Sequence, residues 1–156
     1  MSDLARTVAE DFCAYYEMVQ EQTHRWVDPL SEEQLWRRPF HHGNSIGHLL
    51  LHMTGNLNYY IGARIAGTGY IRDREREFTE RERKTKAEVL AAFDGAVSLV
   101  IETIRRQEAG DWLRSYSAER EPEAKERFNI LLRCAGHAYH HVGQIIYLAR
   151  EVMKVA

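Results

Sequence analysis

The sequence predicts an all-α fold: a four-helix bundle with long connections. Three observations carry this. Four segments of roughly 20 or more residues repeat their apolar positions at three- and four-residue steps. No stretch alternates apolar and polar residues as a half-buried strand would, and all three prolines fall between the helical segments. With 156 residues, 44% hydrophobic and 28% charged, the chain has the size and composition of one globular domain, predicted to span 1–156.

The first helix is predicted from about Leu4 to Val27, where Leu4, Val8, Phe12, Tyr15, Val19 and Trp26 form the stripe. "DPLSEEQLWRRP" then interrupts it, and Ser31 followed by Gln34 is a capping-box pattern for one short helical turn. The second helix begins near Ser45, after the turn-forming "GN", and runs to Ala66, where "GTG" stops it. A charged connection over 67–84 follows. Its "YIRDREREFTERERK" alternates arginine with glutamate so that the charges nearly cancel, which predicts a solvated, ion-paired loop or short helix. Thr85 and Glu88 make a second capping box. The third helix then carries Val89, Leu90, Phe93, Val97, Val100, Ile101 and Ile104 towards Gly110. A second long connection holds Trp112, Tyr116 and Pro122, and the last helix is predicted from about Ala124 to Met153. The two middle connections exceed tight hairpins, so a simple up-down-up-down order is not required.

Bulk properties narrow the function classes. A net charge of −2 lacks the basic excess that nucleic-acid binding needs, so no nucleic-acid partner is expected. No apolar stretch approaches the roughly 20 residues that span a bilayer, so no membrane association is expected. The amphipathic start, "MSDLARTVAEDF", is unlike a secretory signal. The two cysteines, Cys13 and Cys134, sit among apolar residues without a CxxC, which predicts buried structural thiols in a cytoplasmic protein. Phe12, Tyr15, Tyr16 and Trp26 give the first helix apolar residues on more than one side, and a homodimer is expected from that.

Three of the eight histidines crowd into "HAYHHVGQII", residues 137–146. On a wheel of about 100° per residue with His137 at zero, Ile130 and Leu148 fall near +20°, His141 near +40°, Cys134 and Val152 near +60°, and Ile145 near +80°. His141 is thus predicted inside the apolar stripe, His137 at its edge, and His140, near −60°, outward. Imidazoles four residues apart on a helix are stacked neighbours that can converge on one ion. The second helix offers a third ligand in "SIGHLLLHMTGN", where His52 borders the stripe of Leu49, Met53, Leu57 and Tyr60 and His48 lies beyond it, near −40°. Periodicity favours His52. Asn56, one turn on, shares the inward side. His41 and His42 are predicted as loop residues, and His24 lies late in the first helix, where a cation faces the helix C-terminus favourably.

"NSIGHLLLHMTGN", followed about 85 residues later by "HAYHHVGQIIYL", resembles the DinB-like superfamily of helical-bundle metalloproteins, which includes bacillithiol transferases and mycothiol-dependent maleylpyruvate isomerases. Its signature is a histidine on the second helix and an HxxxH, usually with "GQ" after it, on the last. The matching residues here are His52, His137 and His141, then Gly143 and Gln144. The resemblance implies a divalent ion, zinc or nickel, held by these three histidines, and a low-molecular-weight thiol as co-substrate.

Three neutral imidazoles around a zinc ion leave a fourth position open, as catalytic sites require. The expectation is therefore a metal-dependent enzyme that activates a small thiol for transfer to an electrophilic small molecule. Neither motif has an evident acid–base group or carboxylate partner nearby. That keeps two alternatives open: a non-catalytic, stress-related bundle that binds metal or a small molecule, and a structural bundle with histidines at the edge of its core.

Overall fold

The computed structural model describes residues 3–154, and each long element follows an apolar stripe of the sequence. Residues 1, 2, 155 and 156 of the domain predicted over 1–156 lie outside the described part. Helix α1 spans Asp3–Val27 and turns Phe12, Tyr16, Val19 and Thr23 inward. Helix α2, Glu32–Trp36, is the turn that Ser31 opens: Ser31 Oγ accepts from the Gln34 N–H, and the Gln34 side chain accepts from the Ser31 N–H. Helix α3 spans Ile46–Leu57 and runs unbroken into a π-helical segment, Asn58–Ala66, which Gly67 ends in the left-handed region at φ 71°. Helix α4 is a single turn, Arg76–Thr79; α5 spans Lys86–Arg105 behind the Thr85–Glu88 capping box; α6 spans Arg127–Val152.

Helices α5 and α6 each pack against both α1 and α3, and all four contribute to one apolar cluster. Its fully buried members include Tyr16, Leu50, Met53, Phe93, Ile104 and Ile130. The Tyr16 hydroxyl donates to the Leu131 carbonyl at 3.0 Å, which ties α1 to α6 inside the core. The protein is all-helical: among the described residues the only β-type pairing is one isolated bridge, Ser115 with Glu126. No helix among them is long and apolar enough to cross a membrane. Cys13 and Cys134 are both buried free thiols, as expected.

Two boundaries and one helix type differ from the sequence reading. Helix α5 stops at Arg105, because Asp111 caps a turn by accepting from the Glu108 N–H at 2.9 Å before Gly110 is reached. Helix α6 starts at Arg127 because the Tyr116 N–H donates to the Lys125 carbonyl at 2.7 Å, holding the preceding residues extended. The π-helical segment has no signature in the apolar pattern. It gives the second connection a seat: the Tyr116 hydroxyl donates to the Tyr60 carbonyl at 2.9 Å, and Arg64 reaches the Ser117 carbonyl at 2.7 Å.

The wheel for α6 also needs correction. Its buried arc includes Leu131, Ala135, Ala138, Val142 and Ala149 besides the large residues counted above. These shift the arc's centre to about +100° on a wheel of 100° per residue. His137 and His141 consequently sit on the rim of the core, half-buried, rather than within it.

Candidate metal centre

Helices α3 and α6 pack side by side, and the three predicted histidines meet across that contact. His137 Nε2 lies 3.0 Å from His52 Nε2 and 3.0 Å from His141 Nε2. The rings are mutually tilted, with centroids 4.4–4.9 Å apart, so their edges rather than their faces converge. The i, i+4 spacing on α6 stacks His137 and His141 a turn apart, and α3 supplies His52 opposite them.

Proton count distinguishes this cluster from an ordinary hydrogen-bonded one. Glu77 Oε2 lies 2.8 Å from His52 Nδ1, so the Nδ1–H donates to the carboxylate and the Nε2 lone pair faces the cluster. Gln144 Oε1 lies 2.7 Å from His141 Nδ1 and sets the same tautomer there. Two lone pairs therefore point at His137 Nε2, which carries at most one hydrogen. A cation at the centre satisfies all three nitrogens; a proton cannot. Burial, followed by the His141 and His52 imidazoles, pushes His137 down to about 3. Burial likewise pushes His141 down to about 4, against the opposing hydrogen bond from Gln144. Both are neutral lone-pair donors near pH 7, the form metal ligation needs.

The carboxylate that orients His52 comes from the charged connection. Glu77 sits on α4, its side chain 7% exposed, and receives a two-pronged contact from Arg72: Nε to Oε1 at 2.6 Å and Nη2 to Oε2 at 2.9 Å. Burial opposes its ionisation, but the hydrogen bonds from His52 and Arg72 prevail and hold it below the usual carboxylate range. The Arg72 guanidinium in turn lies over the Tyr60 ring at 5.5 Å, on the π-helical segment. A Cβ at Gly55 would come within 2.9 Å of Glu77 Cδ, so glycine there is what lets the carboxylate lie against α3.

Over residues 3–155 the chain matches the family described as "Protein of unknown function (DUF1572)". The chain belongs to this DUF1572 family. No curated protein matches it.

The donor set of this DUF1572 chain suits a divalent metal. Tetrahedral zinc with bonds of 2.0–2.1 Å separates its ligand nitrogens by about 3.3 Å, a few tenths more than the two 3.0 Å separations here. Orienting partners on the far nitrogens of two histidines are what metal-ligating imidazoles carry.

The remaining histidines fall outside the cluster. His140 is exposed on α6, and His41 and His42 lie exposed in the loop before α3, as expected. His48 is different: the wheel placed it beyond the stripe, yet it is as buried as His52, at 7% against 6%. Helix α2 and the segment after α4 cover that side, with the Trp36 ring edge-on to the His48 ring at 5.3 Å. His24 bridges Asp28 and Asp94, whose hydrogen bonds raise it above its usual range despite burial. Asn56 is buried, and its side-chain oxygen has no hydrogen-bond partner among the described residues.

Sequence reasoning missed Glu77 and Arg72. The segment "YIRDREREFTERERK" was expected to be solvated, and most of it is, but these two side chains are buried as a pair. The available signal was Gly55, a glycine inside a predicted helix one turn from His52, which marks a close approach.

Proposed function

We propose that this chain is a divalent-metal-dependent enzyme of the DinB-like superfamily, with the four-helix-bundle fold of that group, that brings a small thiol to an electrophilic small molecule. The observation that carries the reading is the convergence of three imidazole Nε2 atoms, two of them committed by their partners to present lone pairs. His52, His137 and His141 would hold the ion. An ion there, zinc or nickel as the resemblance to the DinB-like superfamily implies, would supply Lewis acidity that lowers the pKa of a thiol brought to it.

The chain's own groups supply position and exclude water. Glu77 and Arg72 fix the His52 ring, Gln144 fixes His141, and Phe78 packs on His52 with centroids 4.8 Å apart. Two tyrosine hydroxyls on the Arg72 side are engaged elsewhere: Tyr60 donates to the Glu119 carbonyl and Tyr116 to the Tyr60 carbonyl. Neither of these two hydroxyls is free to take a proton, and in this reading the thiol's acidity rests on the ion. That same observation favours the second reading, a non-catalytic protein that binds metal or a small molecule.

Metal analysis of protein purified without affinity tag or chelator tests the centre. One ion per chain is expected, with loss in His52→Ala, His137→Ala and His141→Ala; a metal-free wild type refutes it. Screening physiological thiols against electrophiles then separates the two readings, because turnover abolished by His141→Ala belongs to an enzyme alone. A cytoplasmic homodimer is the proposed setting, and sedimentation equilibrium of the purified chain tests the dimer.

A further inference from the structure

We propose that the cleft between α2 and the segment after α4 binds a small organic oxyanion, a carboxylate or phosphate monoester carried on an apolar or aromatic body. The cleft measures about 770 Å³, a volume typical of small-molecule sites. Trp36 and Phe78 supply apolar wall, and four arginines, Arg37, Arg38, Arg81 and Arg83, line it.

Its charge is uncompensated. Only two carboxylates share the lining, and both are engaged. Glu33 Oε1 accepts from Arg37 Nη2 at 2.7 Å. Glu80 accepts from Arg76 Nε at 2.7 Å and from the backbone N–H groups of Arg81 and Glu82, each at 3.0 Å. Arg38 makes one hydrogen bond, to the Phe78 carbonyl at 3.3 Å. Among the described residues, the guanidinium groups of Arg81 and Arg83 have no carboxylate or carbonyl partner. Three cations thus face one concavity in a chain whose net charge is −2. Guanidinium forks match carboxylate and phosphate oxygens in geometry as well as charge.

The backbone carrying these arginines is pinned on both sides. His48 Nε2–H donates to the Glu80 carbonyl at 3.2 Å, while its Nδ1 accepts from the Ser45 hydroxyl at 2.6 Å. Trp36 Nε1–H donates to the Lys84 carbonyl at 3.0 Å. Arg81 and Arg83 lie between those two anchored carbonyls. Burial foremost, with the Arg38 and Arg83 charges, keeps His48 below its usual range, so it holds the segment as a neutral ring. This gives the buried His48 a role that the metal cluster does not.

Phe78 both lines the cleft and packs on His52. Phe78 is thus the side chain that the cleft and the histidine cluster share, and we assign the cleft to the anionic end of the substrate. That assignment rests on the metal-enzyme reading; the binding itself does not.

Calorimetric titration of the full chain with phenyl phosphate at low ionic strength tests the site, with benzoate, inorganic phosphate and phenol as comparisons. Phenyl phosphate or benzoate should bind, and whichever is tighter identifies the anion; phenol should not bind. Arg81→Gln/Arg83→Gln should weaken binding at least tenfold. Arg105→Gln/Arg106→Gln, which removes the same charge from the exposed end of α5, should leave it unchanged. Absence of binding by both aromatic anions overturns the proposal. So does equal loss in the two double variants, or no loss in the first. Metal content of Arg81→Gln/Arg83→Gln and anion binding by His141→Ala keep the readings apart, and both should match the wild type. In the wild-type protein, metal without anion binding sinks the cleft alone, and anion binding without metal sinks the metal centre alone.

Discussion

Replacing Glu77 tests the centre through a residue that would not touch the ion. Glu77 and Arg72 side chains are each 7% exposed and joined by contacts of 2.6 and 2.9 Å, with a third bond of 2.8 Å from Glu77 to His52. Glu77→Ala leaves a buried guanidinium with no counter-charge, a change that costs about 3–5 kcal/mol. Against a typical total stability of about 5–15 kcal/mol, this lowers Tm by on the order of 10 °C. Glu77→Gln acts differently. It keeps the shape, and with its amide oxygen held as the acceptor for Arg72 Nε its NH2 faces His52 Nδ1, to which it can only donate. That reverses the tautomer and points an Nε2–H into the cluster. The expected result is a folded protein whose metal affinity falls about 10–100-fold. Urea unfolding of metal-free protein reads the first effect, and competition with a chromophoric chelator reads the second. Wild-type affinity in Glu77→Gln, with less than about 1 kcal/mol lost in Glu77→Ala, would refute the argument that this buried pair orients His52.

Gly55→Ala has a sign that discriminates. Helix propensity alone predicts stabilisation of up to about 1 kcal/mol, whereas a Cβ 2.9 Å from Glu77 Cδ predicts overpacking that costs about 1–3 kcal/mol and displaces the carboxylate. Thermal unfolding with metal titration decides it. Ser45→Ala removes the N-cap of α3 and the hydroxyl that donates to buried His48 Nδ1, so a loss of about 2–3 kcal/mol is expected in urea unfolding. The metal-free protein should lose stability as pH falls from about 6.5 towards 4, since the unfolded chain takes up protons that folded His137 and His141 refuse until about 3 and about 4. His24 works in the opposite sense: its folded value is raised, so its contribution is complete below about 6.5 and is lost as pH rises through the folded value. Stability profiles of His137→Gln/His141→Gln and of His24→Gln check both signs, the first becoming flatter in acid and the second flatter above neutrality.

Much of the fold was legible because its signals are local. Both capping boxes, Ser31–Gln34 and Thr85–Glu88, form as the residue types dictate, and Gly67 ends its helix in the left-handed region. What the pattern could not give is set by contacts distant in sequence. The wheel ranked His48 outside the core because it considers one helix at a time. The side chain is buried by Trp36 and by the carbonyl of Glu80, 32 residues further on. The π-helical turn is equally invisible, since its role is to meet the 112–126 connection rather than to continue an apolar stripe.

The candidate site divides along the same line. The nitrogen cluster was legible because i, i+4 spacing and one facing helix suffice to define it. The carboxylate that sets its tautomer was hidden in a segment whose alternating charges look self-sufficient. Alternation means that each charge has a partner, but not that the partners are in water. Glu77 and Arg72 are a pair in sequence, five residues apart, that the fold has moved indoors, and Gly55 is the space that allowed it. The neighbouring Glu80 is used up by Arg76 and two backbone N–H groups. With those two carboxylates committed and Glu75 and Glu82 outside the cleft's lining, no carboxylate pairs with Arg81 or Arg83 among the described residues, and a segment whose charges nearly balance on paper presents a positive cleft on one side and a buried carboxylate on the other. Charge neutrality of a segment therefore says little about the field it creates; which charges are already engaged decides that.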